Sequence, residues 1–354
     1  MKHLLDYLPK LNDWLARREQ PGFRGPQIID WILEKRVSDF SAMTNLPQPL
    51  RELLASSFTT FTSTIATHST SDDGTEKLLL KLSDGGLIEC VLLREESRRT
   101  ICVSSQVGCA MGCVFCASGL DGVLRNLTAG EILEQMLRLQ KLLPAEERLS
   151  HIVMMGMGEP LANLDHVLEA LGYASAPTGL GISPRRITIS TVGLPAAIQR
   201  LARQDCKYQL ALSLHAPNDA LRTQLVPINE KIGIAALMAA ADQYFESSGR
   251  KLTFEYVLLS GINDQEEHAT QLAELLQNRT ALLNVIPYNP VEGLPFTTPS
   301  NRSIQRFKQI LEAAGIEIRF RQRKGDKINA ACGQLRRQQL VPLLSDTQRS
   351  FTDR

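Results

Sequence analysis

Three cysteines, Cys109, Cys113 and Cys116, fall within the run Cys109-Ala-Met-Gly-Cys113-Val-Phe-Cys116. Thiolates so closely spaced suit soft metals. Three of them leave one corner of an iron–sulfur cube open, whereas electron-transfer clusters take four cysteines and structural zinc sites are also closed by four ligands. An open corner is where a substrate binds. A zinc ion completed by a distant histidine is the alternative reading of the triplet. A second segment, Gly156-Met157-Gly158-Glu159-Pro160, sets a carboxylate among glycines. Two more cysteines stand apart: Cys102, just before the triplet, and Cys332, in Asn329-Ala-Ala-Cys332-Gly333. Alone, each is more often a buried inert thiol, as a lone His215 is more often a core histidine, while Glu89 reads equally well as an exposed strand residue.

The elements that must position these groups follow from periodicity. After residue 98, apolar runs at 101–104, 151–155, 186–190, 209–214, 252–259 and 282–286 alternate with helical patterns. That rhythm predicts βα units and a parallel α/β sheet. Six units do not close a barrel of eight, so the expected architecture is a partial (β/α)6 barrel with a lateral opening, a doubly wound open sheet being the alternative. The cysteine loop follows the first strand, Gly156–Pro160 the second, Ser190-Thr191 the third, His215-Ala-Pro217-Asn218 the fourth and Pro287-Tyr288-Asn289-Pro290 the sixth. Polar groups thus gather at strand C-terminal ends, where such barrels assemble active sites. Thr128-x-x-Glu131 reads as a capping box, and Asn263-Asp264 as the start of a helix reaching Leu276.

Before residue 58 the chain reads as a small helical module punctuated by prolines, with one helix over 27–36. Alternation over 78–82 and 87–93 around Asp84-Gly85-Gly86 predicts a linking β-hairpin. The expected division is an accessory domain plus hairpin at 1–94, the barrel at 95–325 and a C-terminal segment at 326–354. The chain has 354 residues and a net charge of +1, so any nucleic-acid surface must be local. No run of eighteen apolar residues occurs, and seven cysteines, an odd number, suit redox or metal chemistry in a reducing compartment better than a disulfide framework. A soluble cytoplasmic protein without membrane contact is expected.

At the cysteine run the sequence resembles the radical S-adenosylmethionine (SAM) enzymes. The glycine–glutamate segment looks like the one that contacts the methionine part of their cofactor. The resemblance sharpens over CVSSQVGCAMGCVFCASG, RNLTAGEI, MMGMGEPLANLD, LALSLHAPND, VPIN, IPYNP and GDKINAACGQL, which in order are similar to the adenine carbon-2 RNA methyltransferases of the RlmN type. FRGPQIIDWI and MTNLP resemble that family's N-terminal accessory domain.

The resemblance implies a [4Fe-4S] cluster on Cys109, Cys113 and Cys116 whose open iron binds SAM and cleaves it to a 5'-deoxyadenosyl radical. The cofactor then supplies the step that polar chemistry cannot, since both an electron-poor ring carbon and a sulfonium methyl are electrophilic. It also implies that Cys332 takes a methyl from a first SAM, and that the radical made from a second activates this methyl for addition to adenine. Cys102 would resolve the resulting crosslink through a transient disulfide, and Glu89 would accept the proton. Gly158, Glu159, Ser190, Ser213, Leu214, His215 and Asn289 match cofactor-binding positions. Cys90 and Cys206 match no role.

Implied partners are 23S ribosomal RNA at the peptidyl transferase centre, tRNA next to the anticodon, and an external electron donor such as a flavodoxin or ferredoxin system; a monomer is expected. The target adenine must be unpaired or extruded. Two basic groups are candidates for phosphate contact: Arg319, Arg321, Arg323, Lys324 and Lys327 before Cys332, and Arg24, Lys35 and Arg36 on the accessory helix. Rival readings are a relative that methylates adenine carbon 8 and, from another class, a noncatalytic zinc-bearing RNA-binding or assembly protein.

Overall fold

Ten strands in strict chain order form one sheet in the computed structural model, which describes residues 1–205, 207–321, 325 and 328–335. They are β1 (Thr64–Thr70), β2 (Glu76–Lys81), β3 (Leu87–Arg94), β4 (Arg99–Cys102), β5 (His151–Met154), β6 (Ile187–Thr191), β7 (Gln209–Ser213), β8 (Leu252–Leu258), β9 (Ala281–Pro287) and β10 (Ile318–Phe320). From β4 to β10 every neighbour is parallel; from β1 to β4 every neighbour is antiparallel. Residues of β3 and of β10 line one common cleft, so the sheet curves round as an open barrel.

The six expected strand–helix units are present, and β10, which holds Arg319 of the expected basic cluster, adds a seventh parallel strand. Three residues with a charged centre, Ile318-Arg319-Phe320, carry too little alternation to be read as a strand. The hairpin β2–β3 is present as well. Its second strand pairs with β4, so it continues the barrel sheet rather than standing apart from it.

Helices cover the sheet because their apolar stripes repeat at helical spacing. The accessory region holds α1 (Leu4–Tyr7), α2 (Leu11–Ala16), α3 (Arg24–Leu33) and α4 (Gln48–Ser57). The barrel carries α5 (Ala129–Gln140), α6 (Leu164–Ser175), α7 (Pro195–Ala202), α8 (Asp219–Leu225), α9 (Asn229–Ile232), α10 (Ile234–Ser248), α11 (Glu266–Leu276) and α12 (Asn301–Ala313). Thr128 and Glu131 form the expected capping box of α5. The other start signal is displaced: Gln265 is the N-cap of α11, while Asn263 is a buried brace that donates to the His215 and Val257 carbonyls.

The accessory helices share one apolar core with the barrel. Asp6 accepts from the Gly130 amide (2.7 Å) and the Thr128 hydroxyl (3.0 Å), capping α5 from the other side. A Cβ on Gly130 would stand 2.7 Å from the Asp6 backbone nitrogen, which is why glycine is needed there. Glu134, one turn further on, accepts from the Thr62 and Ser63 amides and from Arg138, and pairs with His3 at 3.3 Å. Burial alone would lower the His3 pKa, but the carboxylates of Asp6 and Glu134 outweigh it and raise it to about 9. No helix among the described residues is long and apolar enough to cross a membrane.

Candidate active site

Two clefts meet inside the barrel. The upper one, about 920 Å³ with the space open to solvent included, lies at the C-terminal ends of the strands and is lined by Cys109, Cys113, Cys116, Gly158, Glu159, Ser190, Ser213, His215, Asn289 and Cys332. The sequence reading therefore named residues from five loops that share one space. Leu214 is the exception: its side chain is core, and its amide donates to the Glu255 carbonyl (3.0 Å).

The loops owe their paths to local constraints. Gly158 has φ +101°, and a Cβ there would stand 2.6 Å from Gln106 Cβ and 2.7 Å from Gln106 N. Both the left-handed backbone and the contact require glycine. Gln106 Oε1 in turn accepts from the Glu159 amide (2.8 Å), locking the loop after β5 to the strand that leads into the cysteines. Glu159 is buried; its carboxylate accepts from the Leu161 (3.0 Å) and Val192 (2.9 Å) amides, tying that loop to the end of β6. Burial raises its pKa, against those hydrogen bonds.

His215 has φ +61° and packs edge-on against Phe115. Its Nδ1 accepts from the Val257 amide (3.1 Å), which leaves the proton on Nε2 as a donor. Burial, aided by the charge of Arg222, lowers its pKa to about 3, so the ring is neutral at pH 7. Arg222 itself is fully buried and was not read from the sequence. Its guanidinium donates to the Leu214, Val192 and Ser213 carbonyls at 3.1, 2.7 and 2.9 Å and to Asn229 Oδ1 at 2.6 Å, bracing the ends of β6 and β7. Nothing in an amphipathic helix signals that one arginine turns inward.

Burial pushes the three loop thiols up, Cys109 to about 12, and neighbouring cysteines add to the effect. They stay protonated until a metal displaces the proton. Among the described residues no three His, Cys, Asp or Glu side chains converge on a point that suits a single metal ion. A four-iron cube asks for something else, since each thiolate binds a different iron, and three thiols on one cleft wall meet that demand. Asn289 Oδ1 also awaits a ligand: it is buried with no hydrogen-bond partner among the described residues, while its Nδ2 donates to the Cys332 carbonyl (3.2 Å). The donor set fits an iron–sulfur cluster with a polar cofactor beside it.

The lower cleft, about 1910 Å³, runs from the strand starts up to Cys102 and Cys332. Cys332 lines both spaces; Cys102 lines only the lower one. The segment bearing Cys332 is latched to the cysteine loop, Ala117 N donating to the Gly333 carbonyl (2.8 Å) and Ser118 Oγ to that of Leu335 (2.7 Å). Burial pushes Cys102 up to about 12, and the charge of Cys332 acts in the same direction.

Glu89 lies outside both linings, buried on β3 in an ion pair with Lys77 (2.8 Å), whose ammonium also donates to the Asn329 carbonyl (3.1 Å). It occupies the same strand face as Val91, which does line the lower cleft opposite Cys102 in the β3–β4 register. Glu255, a carboxylate inside the apolar strand β8, is a site residue that sequence reasoning passed over; a lone charge in such a run was the available signal.

The residues of the two basic groups take different places in the structure. Arg321 is no outward phosphate contact; it lines both clefts, and its guanidinium is held above its ordinary pKa chiefly by Cys332, with Glu255 and Cys102 adding to the effect. Arg36 donates to the Gln140, Leu143 and Pro144 carbonyls, so it fixes the end of α5. Lys35 pairs with Asp30 (2.7 Å), and Arg24 donates to Gln27 (2.9 Å) and to the Asn45 carbonyl (3.0 Å). Arg323, Lys324, Lys327 and Cys206 lie outside the described residues. Cys90 is a buried thiol in the core.

Comparison with known proteins agrees with this geometry. Residues 103–273 match the radical SAM superfamily, and residues 3–59 match the ribosomal RNA large subunit methyltransferase N-terminal domain. A probable dual-specificity RNA methyltransferase RlmN of Rhodopirellula baltica is 65% identical over 336 residues, covering 95% of this chain and 91% of its own. One of Symbiobacterium thermophilum, described in the same words, is 46% identical over 93% of this chain and 89% of its own. A crystal structure of a radical SAM methyltransferase from Sphaerobacter thermophilus superimposes with TM-score 0.92 at 44% identity, covering 96% of this chain and all of that one.

Proposed function

Since the chain belongs to the RlmN family of radical SAM RNA methyltransferases, we propose that it methylates carbon 2 of adenine in 23S ribosomal RNA and in tRNA, carrying the methyl on Cys332. The observation that carries this reading is the position of Cys332 on the wall between two clefts, one holding the cysteine triplet and the other holding Cys102.

Cys109, Cys113 and Cys116 would hold a [4Fe-4S] cluster, with SAM against Gly158, Glu159, Ser190, Ser213, His215 and Asn289. When bound, the cluster and SAM together supply a one-electron cleavage whose product abstracts hydrogen. The chain's own residues do the rest. The Cys332 thiolate takes the methyl of one SAM, S-adenosylhomocysteine being the leaving group, with Arg321 lining the same cleft. Its open side then presents the activated carbon to the adenine. Neutral His215 offers an Nε2 proton to the cofactor without adding charge. The adduct gives up one electron and its ring proton, the proton to Glu89; Cys102 then attacks the Cys332 sulfur, the sulfur–carbon bond breaks, the released carbon takes up a proton to become the methyl, and the disulfide is left for an external reductant. Cys102 is so buried that it attacks once a base is at hand, which guards against premature oxidation.

The test is anaerobic reconstitution with iron and sulfide, then incubation with SAM, a one-electron donor and ribosomal RNA or tRNA. A brown cluster, 5'-deoxyadenosine and 2-methyladenosine by mass spectrometry are expected. An 8-methyl product would move the reading to the carbon-8 chemistry, and a protein that neither binds iron nor cleaves SAM would overturn it.

A further inference from the structure

The parallel strands give the barrel two different ends. Ser190, Ser213 and Val257, which line the upper cleft, stand at or beside strand C-termini; Thr100, His151, Thr188 and Thr253, which line the lower one, stand at or beside strand starts. With SAM and the cluster occupying the upper cleft, a nucleobase has only the lower one from which to meet Cys332. From His151 to Met155 the path is four residues of strand, about 13 Å along it, so the thiol lies deep below the lower mouth.

That mouth is ringed by Arg98, Arg185, Arg186 and Arg319, all exposed, from three separate stretches of chain. None of the four is ion-paired with a carboxylate among the described residues, whereas Arg94, Arg99, Arg125, Arg138 and Arg279 are. Glu95 is the acidic residue of the same lining near the rim, and Glu255 lies deep inside. The positive field is concentrated enough to reach His151: burial and the charges of Arg98 and Arg186 hold its pKa below the ordinary value. Four guanidinium groups around a deep hole whose lower walls are largely apolar suit phosphates flanking a nucleotide that has left its stack.

We propose that single-stranded RNA enters the barrel from the strand-start end, its phosphates held by the collar of Arg98, Arg185, Arg186 and Arg319, so that the extruded adenine reaches Cys332 from the side opposite the cofactor. The proposal rests on the RNA methyltransferase reading and adds to it the route and the residues that grip the strand. It also accounts for Cys102 lining only the lower cleft. The resolving thiol belongs on the side where the crosslinked nucleotide sits.

The experiment uses the full-length reconstituted enzyme with an RNA hairpin whose loop holds the target adenine. The triple variant Arg185→Gln, Arg186→Gln, Arg319→Gln is compared with wild type, with the all-lysine triple at the same positions, and with a control pair, Arg203→Gln and Arg302→Gln, on exposed surface elsewhere. RNA affinity is measured across salt concentrations, and SAM affinity in parallel. The glutamine triple is expected to weaken RNA binding roughly tenfold or more near physiological salt and to reduce the slope of log affinity against log salt by about 2, since each phosphate no longer neutralised removes ~0.7 from it. SAM binding should hold within about twofold, the lysine triple should keep most of the slope, and the control pair should leave all three quantities unchanged.

Unaltered affinity and slope in a glutamine triple that still binds SAM overturns the route. So does a triple that keeps RNA affinity but loses only the rate at which a small anionic thiol reduces the Cys102–Cys332 disulfide, because the collar would then serve the reductant. If wild type itself neither binds the RNA nor cleaves SAM, the functional reading fails instead, and the two failures are distinct.

Discussion

A single sulfur with two exposures is the feature from which the chemistry follows. In the proposed chemistry Cys332 meets a small sulfonium on one side and a nucleobase on the other, and it lines both clefts. Cys102 meets only the second. Replacing Cys102 with alanine should therefore leave methyl loading intact and trap RNA on the protein, visible as a nuclease-trimmed adduct on the peptide that carries Cys332; free turnover by that variant would rule out its resolving role. Arg222→Met should strip donors from the Val192, Ser213 and Leu214 carbonyls. Each orphaned buried acceptor costs about 1–3 kcal/mol, so a loss of about 3 kcal/mol in denaturant unfolding, with weaker SAM binding, is expected. The cluster cysteines and glycine–glutamate loop were legible in the sequence because their chemistry is local in the chain. Arg222, Glu255 and the inward turn of Arg321 were not, because burial of a charge is decided by partners far away in sequence.

At the level of elements, strand order and loop placement were readable because period-2 and period-3.6 patterns alternate cleanly after residue 98. The misread parts are those where the pattern is short or the cap is remote. β10 has three residues, and α11 begins two residues after the polar pair that reads as its start. Docking of the accessory helices was also invisible, since a capping carboxylate for α5 comes from Asp6, 124 residues from the amide that it accepts from. Gly130 makes that approach possible. Gly130→Ala would force the added methyl against the Asp6 backbone and should cost about 1–3 kcal/mol, read as a lowered midpoint in chemical denaturation. If the midpoint stays put, the Asp6 cap is not holding the accessory region to α5.

For the whole molecule, the same docking surface carries a pH dependence. The folded His3 pKa is about 9, above the ordinary 6.5, so its contribution is fully present below about pH 6.5 and is lost as pH rises through 9. His3→Gln should lower thermal stability by about 1–2 kcal/mol at pH 6, after allowing for screening, and by much less at pH 10. An equal loss at both pH values would show that charge on His3 does not matter. Accessory helices packed on the barrel core, two clefts in the barrel and a thiol lining both are what the proposed enzyme needs to receive cofactor and RNA from opposite sides. The most direct test of that account follows one carbon atom. Purified anoxic protein is given SAM labelled in its methyl group, and the peptide containing Cys332 is then analysed by mass spectrometry before and after RNA is added. The account predicts labelled S-methylcysteine at position 332 that disappears as labelled 2-methyladenine forms; labelled RNA from an enzyme that never carries label on Cys332 would contradict it.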